Sequence, residues 1–279
     1  MDTIIQILAR ELGRSEAHVE NVVRLIDEGN TIPFIARYRK ELHGAMDDTA
    51  LRTLADRLQY LRNLDKRREE VKSAIEGQGK LTEELSAAID AAATLAEVED
   101  LYRPYKQKRR TRATVAREKG LEPLAELLFA QAADGPAPEE AAGAFVDPEK
   151  GVETAEDALQ GASDIIAERI SDDADIRKRL RELVWKKGYL VSAAAAKEPE
   201  DTVYRLYYAF RSPLNRVQGH QVLAINRGER EGVLKVSVEM EREAALIPVR
   251  RAVLNPGAPA MAFVRAAAED AYDRLIFPS

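Results

Sequence analysis

Between Asp47 and Gly77, leucines recur at positions 51, 54, 58 and 61, and Val71 and Ile75 continue the same stripe. A 3-4-3 spacing places these side chains along one face of an α-helix, because successive residues advance by about 100°. Asp47 or Asp48 supplies the N-cap, and Gly77 and Gly79 supply the stop. A helix of roughly 30 residues is about 45 Å long, so its apolar stripe needs several other elements laid against it. Shorter helical patterns surround it. Ile4, Ile5, Leu8 and Leu12 end at Gly13; Ser15 caps a second pattern with Val19, Val22, Val23 and Ile26; Pro33 opens a short third one carrying Phe34 to Lys40. Three short helices with tight glycine turns can make a helix-turn-helix-like unit, although the same arrangement is more commonly a small bundle with no groove contact.

Helical spacing persists along the chain. Thr82 opens one segment, Thr94 with Glu97 forms a capping box for another that ends near Tyr102, and Pro104 disfavours helix just before it. Ala155–Ile170 and Ala174–Lys187 are helical, and Ala258–Leu275 is a last helix whose Val264, Ala268 and Leu275 need a covering surface. Trp185, the one tryptophan, is expected to pack. Val222–Ile225 and Val233–Met240, with Gly228 and Gly232 between them, read as a β-hairpin. The fold class is therefore mainly α: a helical multi-subdomain array with a helix-turn-helix-like N-terminal unit and one small β-hairpin. An aromatic content of 6% agrees with that reading.

Several chemistries have no support. Cysteine is absent, which removes disulfides, thiolate metal sites and cysteine nucleophiles and suits a reducing cytoplasm. His18, His43 and His220 lack metal-pair spacing and read as surface or packing residues. Asp172, Asp173 and Asp175 fit helix caps better than a carboxylate metal site. No phosphate-binding glycine loop and no nucleophile elbow occurs. The expectation is a cytoplasmic protein with no enzymatic activity, no metal, no cofactor, no small-molecule substrate and no membrane partner.

Charge is distributed unevenly. The net charge is −6, yet Tyr102–Gly120 holds eight basic residues against Glu118 alone, and Gln131–Asp175 holds 13 acids against Lys150 and Arg169. Such a separation suits either an internal ion-pair interface or a basic stripe kept free for an anionic polymer. In the second case Lys106, Lys108, Arg109, Arg110 and Arg112 contact phosphates, with Arg37, Arg39 and Lys40 as a second basic element. In the first, the cations pair with acids between Glu139 and Asp175, while Phe34, Ile35, Tyr102 and Tyr105 belong to the core.

Gly29–Glu41 (GNTIPFIARYRKE) and Leu101–Ala125 (LYRPYKQKRRTRATVAREKGLEPLA) resemble the N-terminal region of the Tex family of bacterial transcription accessory proteins. Leu159–Arg181 and His220–Val238 extend the resemblance over essentially the whole chain. Arg103 and Gln107 stand where the family pattern has Leu and Pro. Spacing and resemblance together give three parts: 1–46, the helix-turn-helix-like unit; 47–200, a Tex-like helical domain with the basic stripe 102–120; and 201–279, a β-hairpin-containing segment leading into a long helix, with an RNase H-like domain expected beyond the chain. It implies a non-enzymatic role in transcription, to which the basic residues add an expectation of weak, sequence-independent binding of RNA or DNA. The alternative is a docking module for a protein such as RNA polymerase, nucleic-acid binding being supplied by C-terminal domains. A relationship to a eukaryotic elongation factor that associates with RNA polymerase makes that enzyme an implied partner.

Overall fold

A computed structural model describes residues 3–107, 109–196 and 202–279. Among these residues the chain is mainly helical, with one small antiparallel sheet. It divides into two compact units, Met1–Tyr105 and Lys106–Ser279. The boundary at 46/47 falls inside the first unit, and the one at 200/201 touches residues outside the described set.

The first unit contains α1 (Ile4–Leu12), α2 (Glu16–Asp27), α3 (Ile32–Tyr38), α4 (Asp48–Glu76), α5 (Glu83–Ala91) and α6 (Leu95–Tyr102). Asp47 caps α4 by accepting the Ala50 N–H at 2.7 Å. The predicted stripe is buried along its whole length, with Leu64 added between Leu61 and Val71. Leu8, Val22, Ile35, Ile89 and Val98 from the other five helices join Leu51 and Leu58 in one core. Each such side chain contributes about 1.5–3 kcal/mol on burial, and this stripe is why α4 organises the unit. Gly13 ends α1 at φ 62°, a left-handed turn that costs a residue without Cβ nothing. Thr94 caps α6 as expected, while Glu97 reaches back one residue further than a capping box requires and accepts the Ala93 N–H. Two bidentate pairs fasten α4 to its neighbours: Arg57 with Glu11 on α1, and Arg62 with Asp27 on α2, all at 2.7–2.8 Å.

The second unit is arranged around α10 (Ala155–Ser171), which is capped by Thr154 with Asp157 in a complete capping box. Packed on it are α7 (Arg112–Glu118), α8 (Glu122–Ala130), α9 (Pro138–Ala142) and α14 (Met261–Asp270), the last continuing as a π-turn over Ala271–Ile276. Gly161 on α10 allows the closest approach. A Cβ there would lie 2.3 Å from Leu121 Cδ1 and 3.3 Å from Ala116 Cβ. The unit continues with α11 (Ala174–Lys187), β1 (Tyr189–Ala194), β2 (Ala209–Pro213), α12 (Gly219–Arg230), β3 (Leu234–Glu239) and α13 (Arg242–Val253). Asp173 caps α11 by accepting the Ile176 N–H at 2.8 Å, as the helix-cap reading of that acidic run requires.

Three expectations are corrected. The predicted hairpin does not form: Val222–Ile225 lies within α12, and β3 pairs with β1 instead, in a sheet of order β2-β1-β3. A four-residue apolar run has no periodicity that separates strand from helix, and here Gln221 opens a helix by accepting the Gln218 N–H at 2.9 Å. The face of the last helix finds its cover within the chain, since Val264 and Ala268 are fully buried in the core that contains Ile165 and Ile166 of α10. Trp185 does not pack. It is 59% exposed on α11.

Candidate nucleic-acid interface

On α3, Ile35 points into the core while Arg37, Tyr38 and Lys40 at and beyond the helix end are exposed. Phe34 and Tyr38, one turn apart, have ring centroids 5.2 Å from each other. The Arg39 guanidinium lies 5.2 Å from the Phe34 ring and that of Arg37 6.0 Å from the Tyr38 ring. Phe34 is thus half-buried beneath a cation rather than a core residue. The result is an aromatic and cationic surface on one short helix, a type that accepts phosphate oxygens at its rim and planar groups on its rings. The i, i+4 spacing of Phe34 and Tyr38, followed at once by Arg39, is the sequence signal for it. Behind the helix, Asn21 holds the Leu42 carbonyl at 3.2 Å, and His43 is 1% exposed with neither ring nitrogen hydrogen-bonded.

The basic segment is divided by its own local structure. After α6 a 3₁₀ turn spans Arg103–Tyr105. Lys106, Arg109, Arg110 and Arg112 are exposed, and Lys108 lies outside the described residues. Arg110 reaches Glu118 at 2.7 Å, with both groups more than half in solvent, so the pair is easily opened. Thr111 then caps α7, accepting the Thr114 N–H at 3.0 Å and donating its hydroxyl to Glu168 Oε1 at 3.0 Å. Beyond that cap the cations turn inward. Arg117 bonds Glu168 at 2.7 Å and Glu122 at 2.6 Å, and the Lys119 ammonium donates to the Gly151 carbonyl at 2.7 Å. Burial pushes the Arg117 pKa down, but the Glu168 hydrogen bond and the charges of Glu122 and Glu168 more than reverse it and hold the guanidinium above its ordinary value.

The charge separation is thus met in part by internal contacts and in part by exposed cations. Arg117 and Lys119 make internal contacts, Arg117 while still partly in solvent, whereas Lys106, Arg109, Arg110 and Arg112 are exposed. Arg37, Arg39 and Lys40 form a separate group in the first compact unit. Among the described residues no cluster of histidines and carboxylates has the geometry to hold a metal ion, and no helix is long and apolar enough to cross a membrane.

A two-unit helical array, with exposed cations on a short N-terminal helix and at the start of the second unit, defines the class. Family models locate it within known proteins. The Tex-like protein N-terminal domain matches residues 2–76, and the Tex central region-like domain matches residues 134–274. The chain is 46% identical over 241 residues to Protein tex of Bordetella pertussis, covering 86% of this chain and 30% of that protein. It is 44% identical over 277 residues to YdcI of Bacillus subtilis, covering 98% and 38%. It is 30% identical over 291 residues to human S1 RNA-binding domain-containing protein 1, covering 99% and 29%. The chain belongs to the Tex family, and it spans about a third of the length of these relatives.

Proposed function

We propose that this chain is a non-enzymatic, nucleic-acid-binding and scaffolding portion of a Tex-type transcription accessory protein. The observation that carries the reading is the exposure of Lys106, Arg109, Arg110 and Arg112 in a stretch without acids, just before Arg117, which Glu168 and Glu122 engage. Lys108 belongs to the same stretch by sequence, and Arg37, Arg39 and Lys40 on the first unit form the second element. Contacts of this kind reach the phosphodiester backbone, so binding is weak, blind to sequence and open to RNA or DNA. The names borne by relatives, a transcriptional accessory protein Tex and an S1 RNA-binding domain-containing protein, agree with such a role.

The test is fluorescence anisotropy with labelled duplexes of unrelated sequence. Arg109→Glu, Arg110→Glu and Arg112→Glu together abolish binding to all of them and leave the circular dichroism spectrum unchanged. Undiminished binding by that variant defeats this assignment. A docking role toward a protein such as RNA polymerase is the second reading, supported by the outer edges of β2 and β3, which pair with no strand among the described residues.

A further inference from the structure

An open groove of about 950 Å³ lies at one end of the three-stranded sheet, within the second unit and using none of the cations discussed so far. Its geometry follows from the sheet register. Tyr189 begins β1 opposite Pro213 of β2 and Glu239 of β3, so one rung of the ladder supplies groove residues from all three strands. Immediately before it, α11 ends in Lys186 and Lys187. Just after β2, the 3₁₀ turn Leu214–Arg216 brings in Arg216.

The charge around the groove is opposite in sign to that of the chain. Lys186, Lys187, Arg211 and Arg216 face Glu239 and Glu241. Arg211 bonds Glu239 at 3.2 Å and lies 3.5 Å from the Tyr189 ring centroid. Lys186, Lys187 and Arg216 are exposed and have no carboxylate partner among the described residues. The two lysines complement the C-terminal dipole of α11, but that accounts for neither Arg216 nor Arg211. Between the cations the lining is apolar and aromatic, with Tyr189, Val238, Met240 and Phe277. Phe277 is 43% exposed, a large apolar area to leave in water.

We infer that this groove binds single-stranded nucleic acid, its phosphates on Lys186, Lys187 and Arg216 and its bases against Tyr189 and Phe277. Exposed cations beside aromatic rings meet both chemistries of a single strand, the charged backbone and the flat apolar base. A duplex offers only the first, because its base faces are stacked. A purely acidic polypeptide such as polyglutamate likewise offers nothing flat for the rings. The site is independent of the proposed backbone contacts at Lys106–Arg112, and its test is separable from theirs.

Trp185 provides a local signal, since it is the sole tryptophan, is exposed, and precedes Lys186. The 279-residue chain is titrated with oligo(dT) and oligo(rU) of about 10 nucleotides, following Trp185 emission and the anisotropy of an end label. Binding changes Trp185 emission and weakens with salt at a log–log slope near −2, about −0.7 for each of three contacts. Lys186→Glu, Lys187→Glu and Arg216→Glu together remove the emission change and weaken binding by about tenfold or more. Arg109→Glu, Arg110→Glu and Arg112→Glu leave the emission change in place. Tyr189→Phe keeps the ring and binds as the parent chain does, while Tyr189→Leu loses about tenfold. The inference is overturned by undiminished emission change in the groove variant, by a duplex that competes as well as a single strand, or by polyglutamate that does so, which would assign the groove to an acidic polypeptide.

Discussion

Arg117 on α7 and Glu168 on α10 meet at 2.7 Å, and the carboxylate, only 11% exposed, also accepts the hydroxyl of Thr111, the N-cap of α7. One acidic side chain thus secures both ends of a seven-residue helix. Glu168→Gln removes that charge and leaves Arg117 with Glu122 alone. The expected cost is about 1–3 kcal/mol, read from urea unfolding, whereas Arg109→Glu and Arg112→Glu change the unfolding free energy by less than about 0.5 kcal/mol.

Salt dependence measures how many exposed cations engage a duplex. Each phosphate contact releases condensed counterions and adds about −0.9 to the log–log slope, so Lys106, Arg109, Arg110 and Arg112 together give about −3.6. Arg112→Ala reduces the slope by about one step. A slope that does not change on this substitution removes Arg112 from the contact set.

The pairs that fasten α4 predict an acid-sensitive first unit. The hydrogen bond and charge of Arg57 hold the Glu11 carboxyl below its usual range, and Arg62 does the same for Asp27. A depressed carboxylate contributes stability that is complete above its unfolded value, about 4.3 for Glu and 3.9 for Asp, and lost as pH falls through the lower folded value. Stability owed to these pairs is therefore constant from pH 7 to about pH 5 and declines below about pH 4. At their exposure each is worth up to about 1 kcal/mol. Glu11→Gln with Asp27→Asn flattens that decline, as followed by helical ellipticity during acid titration.

The contact of α7 with α10 leaves no room for a side chain at position 161. Gly161→Val drives its methyl groups into the buried Leu121 and Ala116, and is expected to cost about 1–3 kcal/mol despite the poor helix propensity of glycine. Thermal unfolding reads the loss. An additional Leu121→Ala substitution, which opens the space, recovers part of it relative to Leu121→Ala alone.

Trp185 is expected to behave as a solvated indole, strongly quenched by acrylamide in the folded chain. Protection comparable to that of a buried indole contradicts the exposure of this face of α11.

Much of the architecture was legible in the residues because helix signals are local. The stripe from Leu51 to Ile75 is buried as its spacing requires, α11 runs over Ala174–Lys187 as read, and Asp47, Thr82, Thr94 and Asp173 cap the helices they were assigned to. Each of these depends on neighbours within four residues, through the 3.6-residue period or a side chain bonding a backbone N–H two or three places on. No expectation covered α13, and its interior holds Pro248, a residue that local rules exclude from the middle of a helix. Tertiary structure alone decided the rest. The partner of β3 is β1, about 45 residues earlier, and a strand's hydrogen bonds to a distant segment leave no periodic mark in either one. The same holds for charge: Arg117 and Arg112 look alike in a run of cations, and only the arrival of α10 places the buried carboxylate of Glu168 beside the first while the second stays in water. The groove of Lys186, Arg216 and Tyr189 has this origin too, gathered from a helix end, a turn and a strand that only the folded sheet brings to one place.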